Sequence, residues 1–239
     1  MSKIVLPPQS VLWSLGTSVL GRPLDALALA PQGGAEIITE KPATASWPWL
    51  LFLAGVHGDE LEGVWLLEEM RERWSKEFPF EKPGVILWTR MNPDGVANAS
   101  RWNAHEVDLN RNLSTKDWTA EIKSPRYPPG PSPASEPENK ALIRLIDHVK
   151  PAAILSVHSF SEFQVNCNGP SRDWGEAVAK AVNYPVTEDI GYPTPGSLGT
   201  YAGTERGIPT ITHEIERGMA KDKVIANHVV AMEAAVKYW

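Results

Sequence analysis

Trp49-Leu50-Leu51-Phe52-Leu53-Ala54-Gly55-Val56-His57-Gly58-Asp59-Glu60, running into the helical pattern Leu61 to Trp74, is the stretch that decides the fold. From Pro48 to Val56 it is short, apolar and bounded by Pro and Gly, which predicts a strand buried on both faces. From Glu60 to Lys76 it predicts an amphipathic helix. Leu61, Val64, Trp65, Leu67 and Met70 face inward, and Glu68, Glu69, Arg71 and Glu72 outward. A His and a Glu three residues apart therefore occupy the turn between strand and helix. Imidazole and carboxylate are both good zinc ligands, at roughly 2.0–2.2 Å from the ion. A third ligand and an open position for water would complete a catalytic site.

The pattern recurs along the chain. Gly84 to Arg90 predicts a second strand, ended by the turn Asn92-Pro93-Asp94-Gly95. Ala152 to Val157 predicts a third, ending at His158. Gly207-Ile208-Pro209 turns into a fourth, Thr210 to Ile215. Helices are expected from Ser135-Glu136-Pro137-Glu138, with Ser135 as N-cap, through Val149, from Trp174 to Val182, and from Lys221 to Tyr238. This alternation predicts an α/β fold with a mixed, mostly parallel sheet and helices on both faces. No repeat or linker divides residues 1–239, which read as one domain. Residues 10–30 read as an opening segment with a tight turn at Gly21-Arg22-Pro23 and an apolar run from Ala26 to Ala30. Pro31-Gln32-Gly33-Gly34 reads as a turn. Residues 91–135 are loop-rich, and their later part carries five prolines between Pro125 and Pro133. Long loops in a compact domain are usually functional. Ligands of such sheets sit beyond the carboxyl ends of the strands. His57, Asn92 and His158 all fall there.

Composition narrows the function classes. The hydrophobic fraction of 42% and charged fraction of 22% are those of an ordinary globular protein. The net charge of −6 argues against nucleic acid as the main partner, because phosphate binding needs clustered cations. Cys167 is the only cysteine, which excludes an intramolecular disulfide and a thiolate metal cage. Met1 to Pro8 carries no apolar core of signal-peptide length. No segment approaches the roughly 20 apolar residues of a membrane span. A cytoplasmic protein without membrane contact is the expectation, and the oligomeric state is not legible.

His158, ending an apolar strand, would alone read as a strand-end histidine. Beside the His57/Glu60 pair it reads as the third metal ligand, and a three-ligand set leaves a position for water. Water bound there needs a base. Glu214 and Glu216 are the candidates; both lie on one face of a late strand, and spacing does not choose between them. In Asp108-Leu109-Asn110-Arg111-Asn112, Arg111 offers a fork for a carboxylate and Asn110 an amide donor. Arg101 offers a cation for a developing oxyanion.

His57-Gly58-Asp59-Glu60, Asn92-Pro93-Asp94-Gly95, Arg101, the Asp108 to Asn112 run, His158 and Glu214 occur in the order seen in zinc carboxypeptidases of the carboxypeptidase A family. From Gly55 to Glu216 the chain resembles that family. Ser135-Glu136-Pro137-Glu138 and Gly191 to Ser197 resemble a compact bacterial branch of it. The resemblance implies the carboxypeptidase fold and one zinc ion held by His57, Glu60 and His158. It implies Glu214 as general base, from its Thr-x-Glu context, and Arg101 as oxyanion stabiliser. Asn110 and Arg111 would grip a free carboxylate, and Tyr192 would be a mobile tyrosine on the substrate side. The reaction implied is hydrolysis of the γ-D-glutamyl–meso-diaminopimelate bond of a small anionic peptide, murein tripeptide, in cytoplasmic cell-wall recycling. Two features depart from the pattern. His213 stands beside the proposed base and reads as packed between Ile211 and Ile215 rather than as a second metal site. Trp102 to Glu106 is unlike the expected sequence, which leaves substrate preference open.

Two other functions compete. A zinc deacylase of the aspartoacylase or succinylglutamate desuccinylase type shares an HxxE pair and an Asp-Leu-Asn-Arg run. Asn92 to Gly95 and Ser135 to Glu138 argue against it. A non-catalytic binding module would not need the ligands, base and arginines all to be present.

Overall fold

The computed structural model describes residues 3–5, 10–31 and 45–239. Most of Met1 to Pro8, and the expected turn from Gln32 onward, lie outside the described residues. The strands are β1 (Lys3–Val5), β2 (Ser10–Thr17), β3 (Pro23–Leu29), β4 (Trp49–Ala54), β5 (Gly84–Trp88), β6 (Ala153–Phe160), β7 (Gln164–Asn168), β8 (Val186–Thr187) and β9 (Thr210–Glu216). The helices are α1 (Leu61–Lys76), α2 (Pro93–Asn98), α3 (Pro137–Val149), α4 (Arg172–Val182) and α5 (Lys221–Lys237).

One mixed sheet runs in the order β1-β2-β3-β5-β4-β6-β9-β7-β8. Its centre, β5-β4-β6-β9, is parallel throughout. The flanks at β2, β3 and β7 are antiparallel. Strand β4 shows why its sequence is continuously apolar. Leu50, Phe52 and Ala54 enter the core under α1, α4 and α5. Trp49, Leu51 and Leu53 enter a second core under α3. Both faces are covered, so no position in the strand is free to be polar. Each fully buried Leu or Phe here contributes about 1.5–3 kcal/mol of transfer free energy.

Several element boundaries differ from the expectation. Residues 10–29, where no strands are expected, form a hairpin, β2 and β3, joined at the expected tight turn. Asn92 to Gly95 is the start of a short helix, α2, with Asn92 as its cap. The N-cap of α3 is Glu136, not Ser135. Strand β6 continues through His158 to Phe160. In α1 the buried apolar positions are Val64, Leu66, Leu67, Met70 and Trp74, while Leu61 and Trp65 are half-buried. Among the described residues, no helix is long and apolar enough to cross a membrane.

Candidate active site

Parallel register brings the candidate residues together. Strand β4 runs beside β6, with Ala54 opposite Val157. Strand β6 runs beside β9, with His158 directly opposite Glu214. His57 follows the end of β4, so three adjacent carboxyl ends carry three of the polar groups. The β4–β5 ladder also continues past its strands. Met91 N donates to Ala54 O at 2.9 Å, and Asn92 N to Gly55 O at 2.8 Å. The two turns are thereby held side by side. A Cβ at Gly58 would lie 1.9 Å from the carbonyl carbon of Gly95, so only glycine fits where one turn rests on the other. Asn92 Oδ1 accepts from Gly95 N at 2.8 Å and caps α2. Asp94, with no solvent contact, accepts from Ser18 Oγ at 2.9 Å, Leu20 N at 3.0 Å and Arg22 Nη1 at 2.6 Å.

His57, Glu60 and His158 are all buried, and their donor atoms lie within 4.8 Å of one another. His57 Nδ1 is 3.0 Å from Glu60 Oε1. His158 Nδ1 is 3.1 Å from His57 Nδ1 and 2.9 Å from Glu60 Oε2. On the far side of the His57 ring, Nε2 lies 3.1 Å from Asp108 Oδ1. Burial would raise the Asp108 carboxyl, but His57, Arg101 and Arg111 overrule it and hold it well below the usual range. An ionised Asp108 accepts a hydrogen bond from Nε2–H, which favours the tautomer with a bare lone pair on Nδ1. That nitrogen, His158 Nδ1 and the Glu60 carboxylate then converge. Nitrogens bound at 2.0–2.1 Å to one tetrahedral ion lie about 3.3 Å apart, close to the spacing here. This donor set fits a divalent cation, and two nitrogens with one carboxylate suit zinc. Burial holds His158 below its usual value, which keeps it neutral. Burial opposes charge on His57, yet Glu60 and Asp108 raise its pKa. Glu60 is held well below its usual value by both histidines despite its burial.

Glu214 is buried and Glu216 exposed, so the structure separates two carboxylates that spacing could not. Burial first, and the negative charge of Glu60 second, push the Glu214 carboxyl up to about 8. A divalent cation beside it would lower that value. Arg101 donates from Nε (3.0 Å) and Nη2 (2.9 Å) to Asp108 Oδ2 and from Nη1 to Glu60 Oε1 at 3.3 Å. Asn110 Oδ1 accepts from Leu198 N at 2.9 Å. Arg111 Nη1 donates to Asn110 O at 2.6 Å. Both arginines lie over the Tyr127 ring, at 5.1 and 4.9 Å from its centroid. Tyr127 stacks on Tyr192. The three candidate ligands, Glu214, both arginines, Asn110 and the two tyrosines border one cavity of about 480 Å³, joined by Arg126 and Arg217.

Three contributors were not legible as such. Asp108 stood in the quoted run without a role; its one signal is an acidic residue between apolar Val107 and Leu109 in a loop. Tyr127 and Arg217 carried no signal. Two expectations are refined. His213 faces away from the cavity and meets His228 at 2.9 Å and the ring of Tyr184, not merely isoleucines. Among the described residues, His57, Glu60 and His158 form the only group able to hold a metal. The stretch Trp102 to Glu106 packs against the start of α3 and, through Trp102 Nε1 to Arg126 O at 2.9 Å, against a residue of the cavity wall. Asn103 Nδ2 donates to Glu136 and Glu138 at 2.7 and 3.2 Å, and His105 Nδ1 lies 2.8 Å from Glu136.

The fold and donor set together define a metallocarboxypeptidase-type hydrolase. Residues 6–222 match the family model described as zinc carboxypeptidase, and the chain belongs to that family of zinc hydrolases, with His57, Glu60 and His158 as its zinc ligands. Among its relatives, the chain is 33% identical over 202 residues to murein peptide amidase A of Vibrio campbellii, covering 79% of this chain and 77% of that one. It is 31% identical over 218 residues to murein peptide amidase A of Escherichia coli (strain K12), covering 86% of each. Its structure superposes on murein-tripeptide amidase from Escherichia coli O157 with a TM-score of 0.73 at 27% identity, covering 97% of this chain and 93% of that one. Carboxypeptidase A from Helicoverpa armigera shares the fold, with a TM-score of 0.79 at 18% identity over 96% of this chain and 68% of that one.

Proposed function

We propose that this protein is a cytoplasmic amidase that hydrolyses the γ-D-glutamyl–meso-diaminopimelate bond of murein tripeptide. The observation that carries the reading is the cavity itself. The zinc ligands, a buried carboxylate and the Asn110-Arg111 pair border one space. A hydrolytic centre and a carboxylate grip there suit a peptide whose scissile amide lies next to a free carboxylate. Similarity to two murein peptide amidases supports the particular substrate.

Zinc held by His57, Glu60 and His158 would polarise the scissile carbonyl and acidify water. The chain's own groups do the rest. Glu214, ionised, takes a proton from the attacking water and returns it to the leaving amine nitrogen. The water oxygen joins the acyl carbon as the amide bond breaks. Arg101, fixed by Asp108 and Glu60, faces the charge that develops on the carbonyl oxygen. The Asn110 amide NH2 has no acceptor among the described residues and is free to donate, with Arg111, to the leaving residue's carboxylate. Tyr192, half-buried over Tyr127, borders the same space and is the substrate-side tyrosine in this reading.

The test is incubation with L-Ala-γ-D-Glu-meso-diaminopimelate and, separately, with N-acyl amino acids, each with and without a chelator. Release of free diaminopimelate that stops with chelator is the expected result. Hydrolysis of N-acyl amino acids alone would reject the reading in favour of a deacylase.

A further inference from the structure

Arg217 follows β9 and borders the central cavity beside Glu60 and Ser159. Its Nη2 donates to Asp59 Oδ2 at 2.5 Å and to Asp59 O at 3.3 Å. Its Nη1 stops 3.6 Å from Glu60 Oε1, too far for a hydrogen bond. Among the described residues, Nη1 and Nε have no acceptor. About a third of the side chain is exposed. Asp59 therefore occupies Nη2 and leaves Nη1 and Nε as separate donors.

The other arginines are placed differently. Arg101 is committed through three nitrogens to Asp108 and Glu60. Arg111 packs with Asn110 and Tyr127 on the wall that also borders the two adjoining cavities. Arg217 borders neither of those, and its ion pairs go to the His57-to-Glu60 turn instead. The two cations thus stand at different edges of the zinc triad. With the leaving residue held at Asn110 and Arg111, the acyl half of a substrate falls to the edge that Arg217 occupies.

We infer that Arg217 binds a carboxylate on the acyl half of the substrate, which for a γ-glutamyl peptide is the free α-carboxylate of the glutamyl residue. This rests on the γ-glutamyl amidase reading and names what selects the linkage. In a γ-linked glutamyl residue, two methylenes and the α-carbon separate the scissile carbonyl from that carboxylate. A neutral α-linked residue offers no anion there. A guanidinium already held at Nη2 by Asp59 loses little freedom when Nη1 donates to that carboxylate. Asp59 offsets part of its charge and water reaches it, so the selectivity expected is roughly tenfold to a hundredfold.

The experiment compares two substrates with the zinc-loaded protein. One is L-Ala-γ-D-Glu-meso-diaminopimelate; the other carries a carboxamide in place of the glutamyl α-carboxylate. The wild type should prefer the carboxylate about tenfold to a hundredfold in kcat/KM, mainly through KM. In Arg217→Gln that ratio should fall to near one, and Arg217→Lys should restore part of it. A wild type that cleaves both substrates equally well overturns the role of Arg217 and leaves the amidase reading standing. So does an Arg217→Gln protein that loses rate equally on both. A wild type that cleaves neither overturns the amidase reading and this inference with it.

Discussion

Two buried histidine pairs lie on opposite faces of this sheet. His57 and His158 approach to 3.1 Å, His213 and His228 to 2.9 Å, and all four are buried. Their surroundings are opposite. Glu60 and Asp108 stand against the first pair and raise His57. Among the described residues no carboxylate opposes burial at the second, so His213 falls well below its usual value and His228 to about 4. Two imidazoles in contact do not make a metal site. The carboxylates that set the tautomer and demand a cation do. Strand β9 carries both environments one residue apart, with His213 on one face and Glu214 on the other.

The largest expected contrast comes from deleting one ring of each pair. His158→Ala should lose bound zinc and all hydrolysis, whereas His228→Ala should keep stoichiometric zinc by elemental analysis. Zinc loss from the second variant would erase the distinction. Next is the β9 pair of acids. Glu214→Gln should retain zinc and lower kcat about a thousandfold, while Glu216→Gln should stay close to wild type; the reverse ranking would move the base to Glu216.

Acid stability sharpens the comparison from the other face. Histidine in an unfolded chain titrates near 6.5. His228 at about 4, and His213 below its usual value, bind fewer protons folded than unfolded across that interval. Their stabilisation is complete above about pH 6.5 and is lost as pH falls through about 4. The share of His228 is of the order of 3 kcal/mol. Urea unfolding at pH 7, 5 and 4 should show this loss, and a His213→Phe/His228→Leu protein should show less of it. Equal pH dependence in the two would count against the argument. The smallest effect is expected at Asp108→Asn, which should weaken zinc affinity about 10- to 100-fold in competition with a chromophoric chelator. Unchanged affinity would show that Asp108 does not set the His57 tautomer.

What the sequence disclosed follows from how local each signal is. Strands β4, β5 and β6 begin as apolar runs and β9 follows the Gly207-Ile208-Pro209 turn, with His57 just past one such run and His158 at the end of another, so both were readable. The β2–β3 hairpin was not read, because half-buried positions interrupt its strands and its anchor, Asp94, lies over 70 residues away. Arg217 and Tyr127 escaped for the same reason. Arg217 acquires its partner across 158 residues, and Tyr127 lies in a proline-rich loop with no periodicity. Asp108 was visible as a residue but not as a partner of His57, 51 positions earlier.

The anchoring of Asp94 limits where the chain can be cut. A version beginning after Leu29 would keep every zinc ligand and the whole parallel centre of the sheet. It would also strip Asp94 of the Ser18, Leu20 and Arg22 donors and remove β3 from its place beside β5. Asp94 belongs to the α2 turn on which Gly58 rests. The N-terminal hairpin is therefore a foundation of the metal-binding turn, and a minimal catalytic fragment of this protein has to include it.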